Sequence, residues 1–167
     1  MLYAAIVILL LLALLQVTVM PQIPLLGVRP DVVLLLLLAW VMVRGLREGV
    51  ILAFIGGIAL DLFSSLPLGS HALALLLTIV AVGLLAAPLH RGNVVFPVAG
   101  AFAATVLYNL LLLTFSQLLG EEVAWLASLG RIVLPLALIE AALIPLAYWV
   151  TDRLDQRAQR RTKMRIG

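Results

Sequence analysis

Six apolar stretches run through the chain near residues 2–20, 31–46, 48–66, 70–89, 94–118 and 130–151, separated by short polar breaks. Each is close to the ~20 residues that a helix needs to cross a hydrocarbon core. The pattern predicts an all-α integral membrane protein: six transmembrane helices in one bundle over residues 1–151, then a basic cytoplasmic tail over 152–167. The second stretch is the shortest, with an uninterrupted apolar core only from Val32 to Val43. Sixteen residues of helix rise about 24 Å, so this span is expected to be short, helped by snorkelling, or set where the bilayer thins. Pro21, Pro24, Gly27 and Pro30 mark the first loop. Pro30 with Asp31 makes a good helix start, since proline suits the first turn and a carboxylate suits the positive end of the dipole. The first apolar run, Leu2 to Val19, has no basic residue before it and no clear small-residue cleavage site. It therefore reads as a retained helix.

Composition agrees with this picture. The chain is 65% hydrophobic and 11% charged, with mean hydropathy +1.23, whereas a soluble domain is about half apolar and a quarter charged. Without cysteine there is no disulfide, thiolate metal site or cysteine nucleophile. The net charge of +3 suggests membrane topology rather than nucleic acid, because the basic residues lie at segment ends and in the tail. Arg153, Arg157, Arg160, Arg161, Lys163 and Arg165 follow the last span, Arg44 and Arg47 lie between the second and third, and Arg91 lies between the fourth and fifth. Only Arg29 and Arg131 fall on the other side. Both termini are thus expected in the cytoplasm, with Trp125 near the outer interface and Tyr3, Trp40, Tyr148 and Trp149 near the inner one. The tail residues Arg157, Arg160, Arg161 and Lys163 are expected to attract anionic lipid, at ~1 kcal/mol per basic group near the surface.

Inside the third stretch, small residues at every fourth position, Gly45, Gly49, Ala53 and Gly57, lead to Asp61, with Gly56 beside the last of them. Glycine and alanine at this spacing make a smooth ridge that a second helix can approach closely. A carboxylate at the bilayer centre costs ~2.5–3.5 kcal/mol and normally faces protein or water. The topology puts Asp61 about 20 Å beyond Glu48, in the outer third of the core. It is either a helix-end acid reaching water or a group turned toward another helix. Glu140 is the second acid deep in a span, flanked by Ala137 and Ala141 and bracketed by Pro135 and Pro145, which suggests a bent helix with one tightly packed face. Gln16 with Thr18, and Asn109 with Tyr108, add polar groups to the first and fifth spans. Hydrogen bonding between helices accounts for these more simply than an ion path, since no basic residue sits mid-membrane.

Little else suggests chemistry. Ser64, Ser65, Ser70 and His71 follow Asp61 and invite a triad, but no glycine-flanked serine is present and a turn is expected there. His71 and His90 fall on opposite sides of the membrane, outside any metal-ligand motif. The glycines of 45–57 are strung along a helix rather than gathered before one, so no phosphate loop is formed. The segment from Gly120 to Gly130, with Glu121, Glu122 and Trp125, reads as an interfacial stretch of the outer loop.

The order of features is more telling than any one of them. Gln16, Thr18 and Pro21 close the first span, Gly27, Pro30 and Asp31 open the second, and Gly45 and Gly49 flank a short loop. Phe54, Gly56, Gly57, Leu60, Asp61 and Leu62 follow, then Pro67, Leu68 and Gly69. This set over residues 16–69, in a six-span chain of this length, resembles the rod-shape-determining membrane protein MreD family of bacteria. The second half is similar only in hydropathy and in its basic tail. The resemblance implies a non-catalytic scaffold, without cofactor or metal, in the machinery of lateral peptidoglycan synthesis. It also implies direct association with MreC and membership of one assembly with MreB, RodA and a class B penicillin-binding transpeptidase. The family is similar in shape to the substrate-binding membrane subunits of vitamin transporters.

Within that frame, Gly49, Ala53, Gly57 and Asp61 are expected to face either the MreC span or the protein's own first two helices. Arg29, Pro30 and Asp31 are candidate outer-loop residues, with Arg29 in reach of Asp61. A rival reading is a small-molecule-binding subunit of a transporter. It is disfavoured because Ala4, Ala5 and Ala13 of the first helix show no spacing by four.

Overall fold

The computed structural model describes residues 2–19, 30–86 and 95–163. The described residues are helical and contain no strand: α1 (Leu2–Thr18), α2 (Val32–Arg44), α3 (Leu46–Asp61), α4 (Ser70–Ala86), α5 (Val95–Leu118), α6 (Trp125–Ser128) and α7 (Leu134–Lys163). A π-helical turn, Leu129–Val133, joins α6 to α7 in one rod. Two segments are long and apolar enough to cross a membrane, Pro97–Leu118 and Trp125–Gln156. Ala5–Thr18, Val32–Arg44 and Ser70–Leu84 are shorter apolar helices.

Polarity is distributed inside out. Val7, Leu11, Leu14, Phe54, Leu77, Leu84, Leu138 and Leu146 are exposed, while Asp31, Asp61, Thr78, Thr105 and Glu140 are buried. Such a surface is stable only against an apolar solvent, where helices satisfy their own backbone groups and bury what polarity they carry.

The shortest apolar helix lies at the centre. Val33, Leu34, Leu35, Leu37, Leu38, Ala39, Trp40 and Val41 of α2 are all buried, and α1, α3, α4, α5 and α7 each pack against it. Its 13 residues span about 20 Å. Protein rather than an apolar solvent surrounds most of its length.

At one end, Gly45 alone separates α2 from α3, with φ of 89°, a left-handed conformation that costs glycine little. Gly45 thus lies outside the ridge that its spacing suggests. A charged cluster locks this corner to α7: Arg44 Nε lies 2.6 Å from Asp155 Oδ1, and Trp40 Nε1 donates to Glu48 Oε2 at 3.1 Å. The expected boundary at residue 151 consequently falls inside α7, where Thr151 and Asp155 are buried and the helix continues to Lys163. At the other end of this rod, the Leu134 N–H bonds Leu129 O in the π-helical pattern, just ahead of Pro135. Proline cannot donate to the carbonyl four residues back and clashes with it, and a π turn is one way to absorb that defect.

The small-residue face of α3 is filled from within the chain. A Cβ on Gly57 would overlap Ala72 Cα of α4 and lie 2.6 Å from its nitrogen. One on Gly49 would overlap Val41 of α2 and meet Ile79 of α4 at 3.6 Å. A Cβ on Gly56 would meet Leu9 of α1 and Val33 of α2 at 3.1 and 3.3 Å, and Ala53 is fully buried. The chain's own helices, α4 as well as α1 and α2, lie against these glycines. The reason is the hairpin: α3 and α4, joined by only residues 62–69, pack antiparallel and consume the groove.

Candidate functional site

Four helix ends gather at the Asp61 end of the bundle: α1 and α3 finish there, and α2 and α4 begin. The first N–H groups of any helix have no partner within it, and in an apolar surrounding each unpaired one is costly. Side chains from elsewhere in the fold satisfy them here.

Asp61, the last residue of α3, caps α4. Its Oδ2 accepts from Gly69 N at 2.9 Å and Ala72 N at 3.2 Å. Its Oδ1 accepts from His71 N at 2.8 Å and lies 3.0 Å from His71 Nδ1. With 3% exposure, Asp61 neither reaches open water nor turns outward. Both its oxygens are engaged by α4, while Arg29 lies outside the described residues.

The start of α2 is capped three ways. Asp31 caps its own helix, Oδ1 accepting from Leu34 N at 2.8 Å. Gln16 of α1 accepts from Val33 N at 3.0 Å. Glu140 of α7 accepts from Asp31 N through Oε1 at 2.7 Å, and its Oε2 accepts from the Thr105 hydroxyl at 2.5 Å. Two other helices, α1 and α7, thereby converge on one turn of α2, and α5 supports the second of them through Thr105.

The single Thr105 proton also points at Ala101 O, 2.9 Å away, so two acceptors share it. A glutamine at 140 would relieve this, its carbonyl taking Asp31 N–H and its amide donating to Thr105. Glu140→Gln is therefore expected to match the parent within about 0.5 kcal/mol in thermal unfolding, whereas Glu140→Leu loses about 1–3 kcal/mol by orphaning Asp31 N–H. A Glu140→Gln protein that melts well below the parent would instead show that the carboxylate itself is required at this position.

Between these caps lies a cavity of about 420 Å³, lined by Gln16, Asp31, Ser64, His71, Tyr108 and Asn109 on its polar side. Val17, Pro30, Leu60, Phe63, Leu112 and Leu136 complete it. The His71 and Tyr108 rings meet edge to face at 6.4 Å between centroids. Asp61 and His71 do form a pair, but Ser64 Oγ accepts from Leu66 N at 3.0 Å, and no hydrogen bond joins it to His71 among the described residues. The triad reading therefore lacks its nucleophile contact.

Of the residues singled out in the sequence, Gln16, Asp31 and Glu140 come together, and Asn109 and Pro30 line the adjoining cavity. Asp61 reaches the same cavity only through His71. Gly49, Ala53 and Gly57 are buried along α3, away from any opening. His90 and Arg29 fall outside the described residues, as do the side chains of Arg157, Arg160, Arg161 and Lys163. Thr105 escaped notice, although Ala101, Thr105 and Asn109 at spacing four mark one face of α5. Asn109 donates to Thr105 O at 2.9 Å along that face.

No curated protein and no solved structure matches this chain at a significant level. A family model does: by the match of residues 1–152 to the model described as rod shape-determining protein MreD, the chain belongs to that family of bacterial membrane proteins.

Proposed function

We propose that the chain is a six-span, non-catalytic scaffold of the bacterial inner membrane that binds MreC and helps to organise lateral peptidoglycan synthesis. Family membership across residues 1–152 carries the role in rod-shape determination. The scaffold reading is supported by how the polar groups are used: Asp61, Asp31, Gln16 and Glu140 each hold a helix end. On this reading α1 to α5 each cross once and α6–α7 cross as one rod. The clustering of basic residues puts both termini and the Arg44–Asp155 corner in the cytoplasm, and the cavity on the outer side.

The partner surface then belongs to the exposed apolar faces, for example Leu11 of α1, Leu77 of α4, and Leu138 and Leu146 of α7. Photo-crosslinkers at these four positions and at Ala53 and Gly57, in native membranes, test this. MreC is expected to be captured from at least one exposed position and from neither buried one. Recovery of the chain without MreC from all six positions would overturn the scaffold reading.

A further inference from the structure

We infer that the outward face of α7, where Arg153 lies over Trp149, is a binding site for the headgroup of an anionic phospholipid at the cytoplasmic end of the bundle. It rests on the reading of the bundle as membrane-spanning, and three observations carry it. The first is register. Leu138, Ala142, Leu146, Trp149 and Arg153 are all exposed, and they recur at helical spacings of four and three. Ala137, Ala141, Ile144, Thr151 and Asp155, on the opposite side, are all buried. The face that carries Arg153 is therefore the one the bundle leaves to its surroundings, apolar as far as Trp149 and cationic after it. The helix continues to Lys163, and the same register puts positions 157 and 160, both arginine, in line with Arg153. No acid follows Asp155 in the sequence.

The second is depth. Asp155 is held 2.6 Å from Arg44, the last residue of α2, and α3 starts one glycine later, so the bundle ends at this level. At 1.5 Å of rise per residue, Arg153 sits about 3 Å short of it, and positions 157 and 160 sit about 3 and 8 Å past it. The headgroup layer is about 5–8 Å thick on each side of the hydrocarbon. These positions thus stand level with the headgroups and face away from the bundle, where a soluble acidic protein would have to displace lipid to reach them.

The third is the pair itself. The Arg153 guanidinium lies 4.7 Å from the centre of the Trp149 ring. Its neighbouring acids are turned to other groups: Asp152 accepts from Gln156 Nε2 at 2.8 Å, and Asp155 is paired with Arg44. A guanidinium held against an aromatic face keeps N–H groups along its edge, and that fork matches two phosphate oxygens. Indole rings favour the headgroup level, so Trp149 holds the guanidinium at the depth of the phosphates.

The test uses the purified full chain in micelles holding equal phosphatidylglycerol and phosphatidylcholine, with retained lipid read by native mass spectrometry. Both lipids carry a phosphate, but phosphatidylcholine neutralises it with its own cation. The parent is expected to retain phosphatidylglycerol about tenfold over phosphatidylcholine, and Arg153→Gln should lower that preference about fivefold, the factor for one basic group at the surface. Trp149→Leu keeps the charge and should lower it about two- to threefold. Arg131→Gln removes the same charge from an exposed arginine near the other end of the rod and should leave the preference unchanged.

Arg153 and Trp149 are exposed, so the thermal midpoints of these variants should match the parent's. Should Trp149→Leu fail to fold, the comparison of Arg153→Gln with Arg131→Gln decides. Equal losses in those two overturn the site, because net charge alone then attracts the lipid. A parent that retains both lipids equally also overturns it, and gives the face to an acidic protein surface instead. Retained lipid rather than MreC is the readout, so this result and the scaffold reading fail independently.

Discussion

Gly57→Leu is expected to prevent folding of the α3–α4 hairpin, with no folded protein recovered in detergent. The added Cβ alone would overlap Ala72 Cα and stand 2.6 and 2.9 Å from Ala72 N and Cβ. Two of these atoms are backbone, so no rotamer change relieves the clash and the helices must separate. Overpacking that flexible side chains can absorb costs about 1–3 kcal/mol. Here a displaced backbone also pulls Ala72 N from Asp61, and the loss should exceed that range. Gly100→Ala is the matched control, because its Cβ would meet only Met42 Cε and Val82 Cγ1 at 3.9 Å. That change should be neutral or stabilising by up to ~1 kcal/mol, as glycine in a helix interior is the less favourable residue. The check is recovery by size-exclusion chromatography together with the thermal midpoint. A Gly57→Leu protein recovered folded, with the parent's thermal midpoint, would show that α4 does not pack against this face.

Asp61→Ala carries the second large effect. It removes the acceptor from three N–H groups, those of Gly69, His71 and Ala72, and from the His71 ring. Each buried donor left unpaired costs about 1–3 kcal/mol, and two of the three are only partly buried, so a total of about 3–5 kcal/mol is expected. Asp61→Asn keeps one accepting oxygen and should lose about half as much. Hydrogen exchange gives the local readout: amides 69–72 should exchange faster in the alanine variant while those of α5 and α7 change little. Unchanged protection at His71 and Ala72 would mean that the cap contributes nothing. Asp61 and Gly57 both act on Ala72, so their effects should not add.

Both predictions concern features that stand out in the sequence and whose meaning changed with the fold. The glycine ridge and Asp61 read together as a surface offered to another helix, and that helix proved to include α4 of the same chain. Local pattern could not decide this. A ridge of small residues records that something approaches closely, but not whether the approaching backbone is 15 residues away or on another polypeptide. Asp61 and Glu140 are similarly ambiguous: an acid in an apolar run signals a partner without naming it. Besides the His71 ring and the Thr105 hydroxyl, their partners are main-chain N–H groups, which every sequence contains and which therefore leave no mark in it. The extension of α7 beyond residue 151 was hidden for another reason. The basic tail looks like a solvated end, and only Asp155 packed against Arg44 shows the helix continuing as part of the bundle.

Hydropathy by itself determined the helical class, because that depends on free energies summed over local runs of residues. Composition determined the apolar character of the surface, and the order of motifs over residues 16–69 was enough to indicate the family. Tertiary structure alone decided which helix is central, which end gathers the polar side chains, and what each of them holds. Those outcomes depend on pairs far apart in sequence, such as Asp31 with Glu140 and Arg44 with Asp155. The free energy of such a pair exists only once the intervening helices have packed, so no local reading of the chain contains it.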